Sequence, residues 1–273
     1  MELPESLKTI YYCYPEGKKK ALTMSYDDGY EADRTLVAIF NRFGVRGTFN
    51  INAGNRHQEQ RQKRIQLDEL STLYAGHEIA AHSYTHPTIA RIPRTERVRQ
   101  VLLDRIALEK AVGSPVRGFA YPNGSYNRQI QELLPALGIS YARIATRGHH
   151  DFFLPENPFA WEATCHHNHN LLEDAERFLS QKRADALMYV WGHSFEFTDA
   201  GNWSLMEDFC KMVGKRDDIW YATNGEIIDW MAVNEALVFA ADGSFVYNPS
   251  SCDAWLTVDG NTVRVPGGKQ TAL

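Results

Sequence analysis

Along the chain, short apolar runs alternate with stretches whose apolar residues recur every three to four positions. Residues 21–26 form the first run and read as a strand. Leu36, Ile39, Phe40 and Phe43 then share a helical face, and Gly44 stops it. Residues 45–51 read as a second strand, followed by a short helix on Leu67, Leu70, Leu73 and Tyr74. Five more strands are expected at 78–81, 116–121, 139–145, 186–191 and 219–222, each preceded or followed by a helical pattern. Asn127 and Asn224 stand where helix caps belong. Pro135, inside a helical pattern, predicts a kink or an early stop. Residues 146–168, rich in His, Phe and Pro, read as an irregular loop. Loops of that length in compact domains are usually functional or disordered.

Seven strand-then-helix units in series predict parallel strands joined by crossover helices. The expected fold class is α/β: a distorted or incomplete (β/α)7-8 barrel over residues 1–233, with a doubly wound open sheet as runner-up. From Asn234 the texture changes to glycines and short alternating runs, such as Ser244-Phe245-Val246-Tyr247. Residues 234–273 are therefore read as a small C-terminal β appendage packed on the barrel.

At 273 residues and 44% hydrophobic, the chain is long enough for such a barrel. Its net charge of -5 argues against nucleic acid as a partner, because phosphate binding needs a basic surface. Lys18-Lys19-Lys20 is read as a solvated strand entry. Cys13, Cys165, Cys210 and Cys252 form no closely spaced pair, so no CxxC zinc or redox signature exists. The N-terminus MELPESLKTI lacks a charged-then-apolar leader, and no apolar run approaches the roughly 20 residues of a membrane span. A cytoplasmic location is the expectation, or a secreted or periplasmic one if a leader has been trimmed.

In βα barrels, chemistry gathers at the C-terminal ends of the strands. Ionisable residues stand at those places: Asp27 and Asp28 after the first strand, His82 and His86 after the third, Arg143 near the end of the fifth and His193 after the sixth. Asp28, His82 and His86 suit a divalent cation, since two imidazoles four residues apart can share one side of a helical turn. Three protein ligands leave a position open for water, as in catalytic sites. Imidazole with carboxylate suits Zn²⁺, and also Co²⁺, Ni²⁺ or Fe²⁺. Of the adjacent carboxylates, one would bind the cation and the other would take a proton from water whose pKa the cation lowers to about 7. His193 could protonate a leaving amine. Together these groups meet the needs of amide hydrolysis.

At these residues the chain resembles the polysaccharide deacetylases of carbohydrate esterase family 4, which share the NodB homology domain. The resemblance rests on Ser25-Tyr26-Asp27-Asp28-Gly29, His82-Ser83-Tyr84-Thr85-His86, Phe119-Ala120-Tyr121-Pro122-Asn123-Gly124 and Val190-Trp191-Gly192-His193. Thr48-Phe49-Asn50 and Gly76-His77-Glu78-Ile79 also match, and the whole covers roughly residues 20–231. It implies a distorted βα barrel and removal of acetyl groups from an N-acetylated, or O-acetylated, carbohydrate. It implies Asp27 as base, Asp28, His82 and His86 around one divalent ion, the Asn123 N–H at the oxyanion and His193 as acid. Tyr121 falls in the third motif and is taken as substrate-binding.

Two positions depart from the family pattern. Its third motif usually carries an arginine that orients the base, and Ala120 stands there instead. Arg143, on the next strand, is expected to supply that guanidinium, with Arg117 at the far end of its own strand. The family's fourth motif, an Asp with a nearby Trp, has no clear match, and Trp161 is taken for part of that role as a sugar-stacking platform. The cluster Cys165-His166-His167-Asn168-His169 is weighed as a second metal site and set below an ordinary loop. Glu196, which follows His193 in the chain, is expected one layer out from the site. Hydrolysis of a small cyclic amide or ureide, and a non-catalytic carbohydrate-binding relative, are the alternative readings.

Overall fold

A computed structural model describes residues 7–57 and 63–273. The first six residues, part of the stretch on which the lack of a leader was read, lie outside it. The barrel strands are β2 (Lys20–Asp27), β3 (Gly47–Ile51), β4 (Glu78–Ala81), β5 (Gly118–Ala120), β6 (Tyr141–Arg143), β7 (Cys165–His166), β8 (Ala186–Gly192) and β9 (Ile219–Tyr221), preceded by β1 (Ile10–Tyr12). They form one sheet in the order β6-β5-β4-β3-β2-β8-β7, with β9 also on β2. Every pairing within it is parallel. β8 follows β2 from Lys20 to Tyr26, while β9 takes Lys20–Leu22 and β3 takes Met24–Asp27. Trp161 bridges in parallel to Arg143, and four residues later β7 joins β8, so the curled sheet returns on itself. The fold is thus the distorted βα barrel, and the open doubly wound sheet is set aside.

Strand periodicity decides which side chains meet inside. All eight residues of β2 are buried, as expected of a parallel strand covered on both faces. Leu22, Met24 and Tyr26 join the apolar cluster under the helices, so Thr23, Ser25 and Asp27 take the opposite face. On β3, Phe49 and Ile51 likewise join that cluster, leaving Thr48 and Asn50 for the interior. The interior is therefore polar along β2 and β3, and several of its groups bond to one another. Thr23 Oγ1 donates to Asn224 Oδ1 (2.8 Å), Asn224 Nδ2 to the Tyr189 hydroxyl (2.6 Å), and Thr48 Oγ1 to Glu78 Oε2 (2.8 Å).

The helices are α1 (Asp33–Phe43), α2 (Leu70–Leu73), α3 (Arg94–Val112), α4 (Arg128–Leu133), α5 (Leu171–Leu179), α6 (Ser194–Ala200), α7 (Trp203–Val213) and α8 (Asn224–Glu235). Asn127 caps α4 through Ile130 N–H, and α4 stops two residues before Pro135. Asn224 is not a cap. Thr223 caps α8 in a capping box with Glu226, and Asn224 is buried inside the barrel on the bonds just described. No helix of the described residues is long and apolar enough to cross a membrane.

Beyond the barrel lie β10 (Val238–Phe239), β11 (Phe245–Tyr247), β12 (Ala254–Val258), β13 (Asn261–Val265) and β14 (Gln270–Ala272). They build two antiparallel three-stranded sheets, β10-β11-β14 and β1-β12-β13. The second sheet borrows β1, so the appendage draws on both ends of the chain. Leu237, Val246, Ala254, Leu256, Val258 and Val265 form its own apolar cluster. All four cysteines are free thiols, and only Cys252 is exposed.

Candidate active site

Asp27 and Asp28 are neighbours, and in a regular strand their side chains would point to opposite faces. Asp28 instead has φ 79°, in the left-handed region. Such a conformation is strained for a non-glycine residue and recurs at functional sites. The turn brings both carboxylates to the same mouth. The Asp28 N–H is tied to Asn50 O (2.8 Å), and Asn52 Nδ2 donates to Asp28 Oδ1 (2.6 Å). Arg64 Nη1 donates to Asp28 O (2.5 Å) and lies 3.3 Å from Oδ1.

His82 and His86 converge, but not on a helical turn. Residues 82–88 contain no helix, and left-handed Ser83 (φ 62°) and His86 (φ 57°) fold the loop back. Asp104, buried on α3, holds the backbone here by accepting from the N–H groups of Ala53 (2.7 Å) and His82 (2.8 Å). Sequence reading missed Asp104, whose signal is a lone carboxylate spaced between Val101 and Leu108 on a buried face.

His82 Nδ1 lies 2.8 Å from Ala120 O. A carbonyl only accepts, so Nδ1 carries the proton and Nε2 presents its lone pair. That Nε2 is 3.1 Å from His86 Nε2 and 3.9 Å from Asp28 Oδ1, and His86 Nε2 is 3.8 Å from the same oxygen. Ligands bound at about 2.1 Å around a tetrahedral ion would be separated by about 3.4 Å. The three atoms fit one divalent cation. Burial drives the His82 pKa down to about 4, so the ring is neutral at pH 7, as a ligand must be. Burial works against ionised Asp28, but His82, Arg64, His193 and His86 outweigh it and hold its pKa well below the carboxylate range.

Asp27 stands beside this triangle. Its Oδ1 accepts from Asn50 Nδ2 (2.8 Å), and its Oδ2 is paired with the Arg143 guanidinium. Arg143 is fully buried and stacks over Trp191 at 4.3 Å. Asp27 Oδ2 is 3.9 Å from His82 Nε2 and 4.0 Å from His193 Nε2. Burial opposes its ionisation, and Arg143, His82 and His193 more than offset that, leaving its pKa lowered. Burial also opposes a charged His193, yet Glu196, Asp27 and Asp28 together raise its pKa. Arg117 is remote, paired with Asp229 at the other end.

Asn123 is exposed in the turn Pro122–Gly124 directly after β5, with φ 55°, and its Nδ2 is 3.4 Å from Thr88 Oγ1, two residues beyond His86. The two aromatic assignments change. Trp161, 1% exposed, is packed against Tyr141 and Tyr189 inside the barrel and offers no face for a sugar to stack on. Tyr121, also 1% exposed, uses its hydroxyl on Phe159 O (2.9 Å). Both are buried walls, with no exposed ring face to set against a sugar.

One glycine is fixed by this arrangement. Gly192, just before His193, lies under the His167 ring, and a Cβ there would overlap the imidazole. Gly192→Ala is expected to destabilise the fold by about 1–3 kcal/mol, the usual effect of overpacking, and to lower the urea midpoint accordingly. An unchanged midpoint would mean that the ring moves aside freely.

Residues 14–142 match the family described as Polysaccharide deacetylase. Uncharacterized protein YlxY of Bacillus subtilis is 27% identical over 126 residues, 45% of this chain and 37% of that protein. Peptidoglycan-N-acetylglucosamine deacetylase PgdA of Listeria monocytogenes is 26% identical over 133 residues, 48% of this chain and 27% of it. The matches thus span well under half the length of these relatives. Among solved structures, a polysaccharide deacetylase described as putative from Mycobacterium smegmatis superposes with TM-score 0.60 at 18% identity, covering 86% of this chain and 96% of that one. The chitin deacetylase of Colletotrichum lindemuthianum gives 0.55 at 21%, covering 79% and 89%. Puue allantoinase gives 0.61 at 14%, covering 80% and 92%. Residues 14–142, just under half of the chain, thus carry the pattern of the polysaccharide deacetylase family, carbohydrate esterase family 4.

Proposed function

We propose that this protein is a cation-dependent deacetylase that hydrolyses the N-acetyl group of a carbohydrate, releasing acetate and a free amine. One observation carries the reading: Asp28 Oδ1, His82 Nε2 and His86 Nε2 stand 3.1–3.9 Å apart with a second carboxylate, Asp27, beside them and outside the triangle. A fold shared by proteins titled chitin deacetylase and allantoinase does not choose a substrate, so the choice rests on the site and the family.

Asp28, His82 and His86 would hold one divalent ion, with Zn²⁺ the best match to imidazole and carboxylate donors. When bound, such an ion polarises an acyl oxygen and makes water more acidic. Asp27 takes the proton of the attacking water as the new C–O bond forms. Its lowered pKa keeps it ionised, and Asn50 and Arg143 fix its two oxygens. The Asn123 N–H is assigned to the developing oxyanion, where one backbone donor contributes roughly 3–4 kcal/mol. As the C–N bond breaks, His193 Nε2, across from Asp27, gives its proton to the departing amine.

The test is metal analysis of purified protein joined to acetate release from acetylated chitooligosaccharides, peptidoglycan fragments, acetylxylan and small cyclic amides. The expected result is about one divalent ion per chain and turnover of an N-acetylated sugar, both lost with a chelator. Turnover of the cyclic amides alone would transfer the activity to another C–N bond.

A further inference from the structure

Three histidines and one carboxylate meet beside the reaction site, drawn from two segments about 30 residues apart. Glu196 Oε2 is 2.9 Å from His167 Nε2, 3.3 Å from His166 Nε2 and 3.2 Å from Asn168 Nδ2, and its Oε1 is 3.3 Å from His193 Nδ1. His166, His167 and Glu196 could be read as a second cation site. The backbone decides otherwise. The Asn168 N–H donates to His166 Nδ1 (3.2 Å), so that nitrogen holds the lone pair and the ring proton sits on Nε2, aimed at the carboxylate. A protonated Nε2 is a donor and not a metal ligand. His167 is sandwiched between Tyr26 and Phe197 over Gly192, which fixes its ring beside Glu196.

We propose that Glu196 is the positioning residue of His193: its carboxylate, held among His166, His167 and Asn168, keeps the His193 ring proton on Nδ1 and so leaves Nε2 facing Asp27 and the substrate. This rests on the deacetylase reading for its consequence, though not for its geometry. At 3.3 Å and off the ideal line, the Glu196–His193 contact is an ion-pair approach that tightens when the ring is protonated, as catalytic contacts commonly do. The groups facing His193 are Asp27 at the end of β2, Asp28 just after it, Glu196 on the helix that His193 precedes, and His167 after β7. Among the described residues, Glu196 is the carboxylate that approaches Nδ1, and Asp27 approaches Nε2.

The experiment compares metal-loaded wild type with Glu196→Gln and His166→Gln, using ¹⁵N-histidine NMR with His193→Asn to assign the signal. Wild type should show His193 protonated at Nδ1 in its neutral form. Glu196→Gln should lower the His193 midpoint by about 1–3 pH units, since an opposite charge at this range shifts a pKa by that much. It should also lower kcat/KM for acetate release on the order of 10²-fold, with the basic limb of the rate profile moving by the same pH interval. His166→Gln, which leaves the carboxylate less firmly held, should move the midpoint in the same direction by less. A His193 midpoint unmoved in both variants overturns the proposal, as does a neutral wild-type ring protonated at Nε2. A shifted midpoint in a protein that releases no acetate from any acetylated sugar would uphold the positioning role and defeat the deacetylase reading instead.

Discussion

Changing His82 to alanine is expected to strip the bound cation and lower kcat/KM by about 10³–10⁴-fold, whereas Asp27→Asn should lose about 10²–10⁴-fold and keep the cation. The asymmetry follows from which atoms face one another. His82 Nε2 is a vertex of the triangle, and its partner nitrogen is locked on Ala120 O, so no other atom can replace it. Asp27 spends one oxygen on Asn50 and the other on Arg143, leaving it outside the ligand set. Asparagine at position 27 can still accept a hydrogen bond from that guanidinium but removes its counter-charge, so the fold of the variant is checked by urea unfolding beside its metal content. Metal analysis and kinetics on the same preparations check the pair. Full metal content in His82→Ala, or metal loss in Asp27→Asn, would sink the division of roles between the two carboxylates.

Much of the barrel could be read from the chain because apolar runs, glycine stops and helical faces agree with one another. The predicted strand at 139–145 contains β6, the one at 186–191 covers all of β8 but its last residue, and Gly44 and Gly113 end α1 and α3 in left-handed conformations. The misreadings have physical causes. The spacing of His82 and His86 fits a helical turn, but only φ values reveal that Ser83 and His86 are left-handed. Trp161 lies in a stretch without periodicity, so nothing local told that its ring turns into the barrel. β7, two residues long, was hidden in the same stretch. Asn224 was misassigned although the Thr223-x-x-Glu226 signature one residue earlier marks the cap. The approach of Glu196 to His166 and His167 depends on β7 pairing with β8, a contact that no short-range pattern announces.

Arg143→Met is expected to destabilise the protein by about 3–5 kcal/mol at pH 7, the usual consequence of leaving one partner of a buried ion pair alone. Methionine approximates the length of the arginine stem and can retain much of the contact with Trp191, so the loss reports mainly on charge. The pH dependence separates this from a packing defect. In wild type the Asp27 pKa is lowered, so its stabilisation is present above the unfolded value of about 3.9 and is lost as pH falls through the lower folded value. Without Arg143, burial is the dominant influence remaining and it raises the Asp27 pKa. The variant's deficit should therefore shrink as pH falls through that raised value, because a neutral carboxyl no longer needs the guanidinium. Over the same range the acidic limb of the acetate-release profile should move to higher pH, since only ionised Asp27 can accept the proton of water. Urea unfolding at pH 7 and pH 5, with rate profiles beside it, measures both effects. A deficit constant across that interval with an unmoved acidic limb would show that Arg143 fills space and does not hold the base.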